Sequence, residues 1–150
     1  MAKQTKKIEI REGVVGFLFS PSKNRVALIL KNKPKWQDGK YNGIGGKVEK
    51  GETAYQAMVR EFEEEAGVKI KDWKQYAVLQ GEGFKVTFFW AAGLQIHKLK
   101  TMTSEQVEVF PTDEDKLPAN LMTNVRWLIE MALSMLSERC QSFVITEIAA

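Results

Sequence analysis

The chain is poor in the residues that build covalent or soft-metal frameworks. It holds one cysteine, Cys140, and one histidine, His97, in 150 residues. A lone thiol closes no intramolecular disulfide and assembles no thiolate metal cluster, which makes a reducing cytoplasm the expected setting. Nowhere does the sequence approach the ~18–20 consecutive apolar residues that a membrane span needs. The opening "MAKQTKKIEI" is polar and basic without an apolar run, so it does not read as a signal peptide. Charge of either sign is not in excess: 22 Lys and Arg against 19 Asp and Glu give +3. That suits an anionic small molecule and is too weak to argue for a stable nucleic-acid partner. Low-complexity tracts, repeats and long linkers are also lacking. One domain over 1–150 is expected, with about 1–7 as a flexible basic arm, either monomeric or homodimeric.

What is present alternates between strand-like and helix-like patterns. "GVVGFLF" and "RVALIL" are β-branched and apolar, separated by the turn signal "SPSKN". A Gly-, Lys- and Asn-rich loop follows. Thr53 is placed to cap a helix, with Gln56 as its capping-box partner, and Gly67 is placed to end it. "KQYAVLQ" and "KVTFFWAAGL" read as a hairpin around "GEG", while "LQIHKL", "QVEVF" and "SFVITEI" read as further strands. A second helix is expected after "PANLMTN", with Leu128, Met131, Ala132 and Met135 at helical spacing. His97 reads as structural or exposed, and Trp90 and Trp127 as core. Without regular βαβ alternation, the fold class is α+β with a mixed sheet.

The first helix carries a conflict. "REFEEEAGV" sets Glu61, Glu63, Glu64 and Glu65 in its last turns. Exposed acids at that end each cost roughly 0.3–1 kcal/mol against the helix dipole. Like charges three or four apart cost about 0.2–0.5 kcal/mol more per pair. Glu61, Glu64 and Glu65 fall within about a third of the helix circumference, beside the apolar stripe of Ala54, Met58 and Phe62. Glu63 points elsewhere, and Arg60 lies one turn before Glu64. Three converging carboxylates with no Cys or His nearby suit Mg²⁺ or Mn²⁺; the plainer alternative is a solvated acidic face. The preceding "GIGGKVEKGE" brings glycines, backbone N–H groups, Lys47 and Lys50 to the start of the same helix. A phosphate-bearing substrate bridged by a metal fits such a unit.

Gly46, five residues, Glu52, seven residues, then Arg60-Glu61-Phe62-x-Glu64-Glu65-x-Gly67-Val68 resembles the Nudix box without departure. The resemblance implies an α/β/α sandwich with a central mixed sheet, a catalytic loop–helix and a C-terminal helix. It implies hydrolysis of a nucleoside diphosphate linked to another moiety, with Mg²⁺ or Mn²⁺. Glu61, Glu64, Glu65 and the carbonyl of Gly45 would be metal ligands. Arg60 would orient the glutamates and Glu52 would support them. The base that takes a proton from the attacking water would be Glu61 or, from a later loop, Glu105, with Glu108 a further candidate.

"KPKWQDGKYNGIGGKVEKGET" is similar to the subgroup acting on oxidised purine nucleoside triphosphates. The resemblance puts Trp36 and Asn42 against the base, with Tyr41 standing where tryptophan is usual. Lys31 could reach phosphate, or be an ordinary strand-end lysine. "LPANLMTNVRW" is similar to the segment whose Asn or Asp reads the purine edge, here Asn124 with Asn120 in reserve; a helix cap is the alternative role. Gly83 and Phe84, then Lys85 and Val86, replace the proline and tyrosine that accompany ADP-ribose and dinucleoside polyphosphate hydrolysis. A (d)NTP converted to monophosphate and pyrophosphate is therefore the leading expectation. Hydrolysis of ADP-ribose, dinucleoside polyphosphates or capped RNA, and a non-catalytic nucleotide-binding module, are the alternatives.

Overall fold

The structure, a computed structural model, describes residues 9–135 and 143–146. The basic arm and Cys140 lie outside the described residues. Apolar residues alternate through two early strands, and both faces of each find a core. In β1 (Arg11–Phe19) and β2 (Arg25–Leu30), Val14, Leu18, Ala27 and Ile29 enter one cluster. Phe17, Phe19, Val26 and Leu28 enter the other. The turn between them places Lys23 at φ 62° and is closed by Ser20 Oγ donating to Asn24 Oδ1 at 3.0 Å.

The remaining strands are β3 (Tyr41–Asn42), β4 (Ile44–Lys47), β5 (Lys74–Gly81), β6 (Phe84–Ala92), β7 (Val107–Pro111) and β8 (Phe143–Thr146). The sheet runs β3-β2-β1-β6-β5-β8, with β4 added to β1 and β7 to β2. β1 with β6 and β5 with β8 are parallel and the other pairs antiparallel, giving the mixed sheet expected. Helix α1 (Ala54–Ala66) covers one face through Ala57, Met58, Phe62 and Ala66. Helix α2 (Val125–Met135) covers the other through Val125, Leu128, Ile129 and Ala132. This is an α/β/α sandwich.

Two expectations are corrected. "LQIHKL" is not a strand: Leu94–Lys98 form a 3₁₀ turn in which Ile96 alone is buried. Its predecessor β6 is already paired on both sides by β1 and β5, so the chain leaving it has no strand to join. His97 is exposed there. Trp127 is not core but 37% exposed, because the buried stripe of α2 falls on residues 125, 128, 129 and 132. Trp90 is buried as expected.

Candidate active site

β4 and α1 meet through glycine. A methyl on Gly46 would stand 2.6 Å from Glu61 Oε1, and one on Gly45 would stand 2.7 Å from the carbonyl carbon of Val14. Only hydrogen at these positions lets β4 lie against β1 on one side and the Glu61 carboxylate on the other. Gly51, at φ 82°, turns the chain towards the helix. Thr53 Oγ1 accepts from the Gln56 N–H, and Gln56 Oε1 accepts from the Thr53 N–H, forming the expected capping box. Gly67, at φ 76°, ends the helix.

Arg60 organises the acids. Its Nε and Nη2 grip Glu52 at 2.8 and 2.9 Å, while Nη1 donates to Glu61 at 2.8 Å and to Glu64 at 3.2 Å. Nη2 also donates to the Lys47 carbonyl at 2.9 Å. These charge-assisted bonds hold the Glu52 carboxyl down to about 2 and push the guanidinium pKa up. Glu61 responds differently. Burial raises its pKa, Arg60 opposes the rise, and the charges of Glu64 and Glu65 add to it. So part of the acidic penalty seen in the sequence is met by Arg60, and Glu61 retains an unmet preference for positive charge.

The three acids do not converge on a shared point. Glu61 and Glu64 turn to Arg60, whereas Glu65 Oε2 accepts from Thr103 Oγ1 at 2.9 Å. Among the described residues no group of three or more His, Cys, Asp or Glu is arranged to hold a metal ion. Like charges separate towards whatever donors are near. The donor set still fits a hard dication by chemistry: oxygen only, from one helix end, beside glycine backbone.

The other expected site residues, Lys47 apart, occupy a second locality. Glu105 is buried at 2% exposure, and its carboxylate accepts from Lys31 Nζ at 2.8 Å and from the Asn32 and Lys33 N–H groups at 2.7 and 3.4 Å. Burial pulls its pKa up, but the Lys31 ammonium and those N–H groups outweigh it and the net shift is downward. Trp36, 65% exposed, sits on a 3₁₀ turn at Lys35–Gln37. Asn42 Nδ2 donates to Gln37 Oε1 at 3.3 Å, and its Oδ1 accepts from the Gly43 N–H at 2.8 Å. Lys47 is exposed at the end of β4. The segment opening α2 is laced to β3: the Tyr41 N–H donates to the Asn120 carbonyl and the Met122 N–H to that of Tyr41, both at 2.9 Å. Asn120 Nδ2 is engaged by the Gly39 carbonyl at 2.9 Å. Asn124 accepts the first bond of α2 through its carbonyl, from the Leu128 N–H at 3.1 Å, and its side chain forms no hydrogen bond among the described residues.

Thr103 carries no signal in the sequence, and the contact between Tyr41 and Glu108 is not legible there either. Thr103 clamps Glu65 through its hydroxyl. Tyr41 donates to the Glu108 carboxylate and packs edge-on against Phe110 at 5.0 Å, and its phenol is pushed up to about 12, by burial first and then by Glu108.

A mixed sheet between two helices carries an arginine-organised acidic helix end against a glycine strand. Residues 10–133 match the NUDIX domain, and the chain belongs to the Nudix family. It is accordingly a metal-dependent hydrolase of the diphosphate linkage in nucleotide derivatives. It is 34% identical over 126 residues to YtkD of Bacillus subtilis (strain 168), covering 79% of this chain and 78% of that one. YtkD is provisionally named as an 8-oxo-dGTP diphosphatase. The fold is similar to a MutT NUDIX hydrolase from Burkholderia pseudomallei, with a TM-score of 0.68 at 22% identity over 82% of this chain and 98% of that one. It is also similar to a UDP-X diphosphatase, with a TM-score of 0.67 at 20% identity over 90% of this chain and 66% of that one. Among the described residues no helix is long and apolar enough to cross a membrane.

Proposed function

We propose that the chain is a single cytoplasmic domain, a monomer or homodimer, that hydrolyses a (d)NTP, with an oxidised purine as the favoured base, to the monophosphate and pyrophosphate. The observation that carries the site assignment is the guanidinium of Arg60 joining Glu52, Glu61, Glu64 and the Lys47 carbonyl beside β4. The substrate half is supported by the 34% identity to YtkD.

Glu61, Glu64, Glu65 and the carbonyl of Gly45 would hold Mg²⁺ or Mn²⁺. When bound, the ion would neutralise the diphosphate oxygens and acidify a water. Arg60 and Glu52 fix the rotamers of Glu61 and Glu64. Glu61 accepts the proton of the water attacking phosphorus while the anhydride P–O bond breaks. Lys31 and Lys47 bring positive charge towards the phosphates. Trp36 offers an aromatic face to the base, and Asn42 and Asn124 offer amides to its edge. Asn124 is preferred to Asn120, whose amide is spent on Gly39.

The test is turnover with Mg²⁺ across normal and oxidised (d)NTPs, ADP-ribose, a diadenosine polyphosphate and capped RNA, with Glu64→Gln alongside. A (d)NTP giving monophosphate plus pyrophosphate, lost in the variant, is expected. Turnover of only the linked dinucleotides or capped RNA would overturn the substrate assignment. Binding without turnover would make the chain a nucleotide-sensing module.

A further inference from the structure

Glu105 is a loop glutamate by sequence but a core residue by position. Its carboxylate spends both oxygens on one short segment: Oε1 on Lys31 Nζ, and Oε2 on the Asn32 and Lys33 N–H groups. Asn32 Nδ2 reinforces the junction by donating to Ser104 Oγ at 2.9 Å. That segment is the base of a closed loop. The Lys31 N–H donates to the Lys40 carbonyl and the Gly39 N–H to that of Lys31, both at 2.9 Å, so residues 32–38 are carried as a unit with Trp36 upon it. The other end of the Glu105 loop is pinned to the acidic helix. Thr103 Oγ1 accepts from the Glu105 N–H at 3.2 Å and donates to Glu65 at 2.9 Å, and the Met102 N–H donates to the Glu65 carbonyl at 3.3 Å.

We propose that Glu105 is a positioning residue: its buried carboxylate holds the Trp36-bearing loop while its backbone N–H, bonded to Thr103 Oγ1 and through it to Glu65, sets that loop relative to the acidic end of α1. A general base must be free to reach a water beside the scissile bond and have a pKa near the working pH. Glu105 has both oxygens engaged by cationic or N–H donors, so ionised and immobile is its resting condition. Lys31, with two N–H donors left after Glu105 takes one, is aimed by the same contact. The inference rests on the nucleotide-hydrolase reading given above and adds to it the means by which the base-side loop keeps its register with the catalytic helix.

Glu105→Ala, Glu105→Gln and Lys31→Met test it by three readouts. These are steady-state kinetics on the wild type's best nucleotide, the Kd of the product monophosphate without metal, and amide exchange at Asn32 and Lys33 without nucleotide. The expected result is a KM and a monophosphate Kd raised about tenfold with kcat kept within about threefold. The pH profile of kcat should be unshifted and the two amides should lose protection in Glu105→Ala. Lys31→Met should repeat the rise in KM in a protein with the buried carboxylate intact. A kcat lowered by about a hundredfold or more at unchanged KM, with the acidic limb of the profile gone, would make Glu105 the base and overturn the proposal. A lowered melting temperature with KM and Kd unchanged would reduce Glu105 to a stability residue and overturn it as well. Absence of turnover in the wild type would count against the hydrolase reading alone, because the exchange and monophosphate arms read the loop without catalysis. Wild-type amides at 32 and 33 exchanging as fast as open coil would count against the positioning role alone.

Discussion

Arg60 and Glu52 stand eight residues apart, one inside α1 and one ahead of its cap, and meet in a two-pronged contact at 2.8 and 2.9 Å. The planar fork of the guanidinium is what allows its remaining edge to serve Glu61 and Glu64 at the same time.

Arg60→Lys should therefore not behave as a conservative change. An ammonium keeps the charge but cannot span Glu52 and Glu61 in one plane, so the acids of α1 lose their common orientation. Misplacement of catalytic groups by about 1 Å costs on the order of a hundredfold. We expect kcat to fall by about ten- to a hundredfold while KM moves little. Steady-state kinetics decide it, and a lysine variant with wild-type kcat would sink the role given to Arg60.

The two glycines of β4 separate stability from activity. A methyl at Gly45 meets the backbone of Val14, which cannot yield without pulling β4 off β1. A methyl at Gly46 meets the end of the Glu61 side chain, which can rotate away. Gly45→Ala should lose about 1–3 kcal/mol of stability, the usual cost of overpacking. Gly46→Ala should unfold near the wild-type midpoint and lose most of its turnover. Urea melts with parallel assays check both, and the reverse pattern would mean that Glu61 is not where the chemistry happens.

The fold was legible wherever local rules and tertiary demands coincide. The capping box at Thr53, the Gly67 stop and the apolar alternation of β1 and β2 each act within a few residues, and each is found. "LQIHKL" defeated the same logic, since an apolar–polar alternation makes a strand only where a neighbouring strand is free to pair. Trp127 defeated it too, because which stripe of a helix is buried depends on the angle at which it meets the sheet. In the site, spacing revealed which acids share a helix end but not where their carboxylates turn. Glu105 was readable as polar and near the chemistry. Its burial against Lys31 was not, since that contact joins residues 74 positions apart.

Acid should unfold the metal-free protein in a way these contacts specify. Glu52 falls from an ordinary 4.5 to about 2, so its contribution to stability is whole above 4.5 and is lost as pH drops through about 2. Glu105, also shifted down, follows the same sign. Glu61, shifted up by burial, has the opposite sign: its contribution is whole below 4.5 and is lost as pH rises through its raised folded pKa. Urea midpoints taken from pH 7 to pH 2 should fall most steeply below 4.5. Glu52→Gln should flatten that limb and Glu61→Gln should leave it intact. A Glu52→Gln protein with the wild-type acid limb would mean that the Arg60 contact contributes nothing in solution.

Magnesium should act on the same acids from the other direction. Glu61 and Glu64 share Arg60 and Glu65 is held by Thr103, an arrangement that leaves the Glu61 charge under-compensated in a half-buried position. A dication bound only by the folded chain stabilises it by mass action, by about 2.7 kcal/mol at a hundred times its Kd. For a domain of this size that corresponds to a rise in melting temperature of roughly 5–10 °C. Ca²⁺, a hard cation with the same preference for oxygen ligands, should also raise it, whereas K⁺ at matched ionic strength should not. Glu61→Gln and Glu64→Gln should each remove most of the rise without lowering the metal-free melting temperature comparably, because each also relieves a like-charge contact. Thr103→Val frees the Glu65 carboxylate and should leave the rise intact or enlarge it. Equal shifts in the wild type and in both glutamine variants would place the metal elsewhere on the molecule and leave the acidic end of α1 as an arginine-neutralised surface.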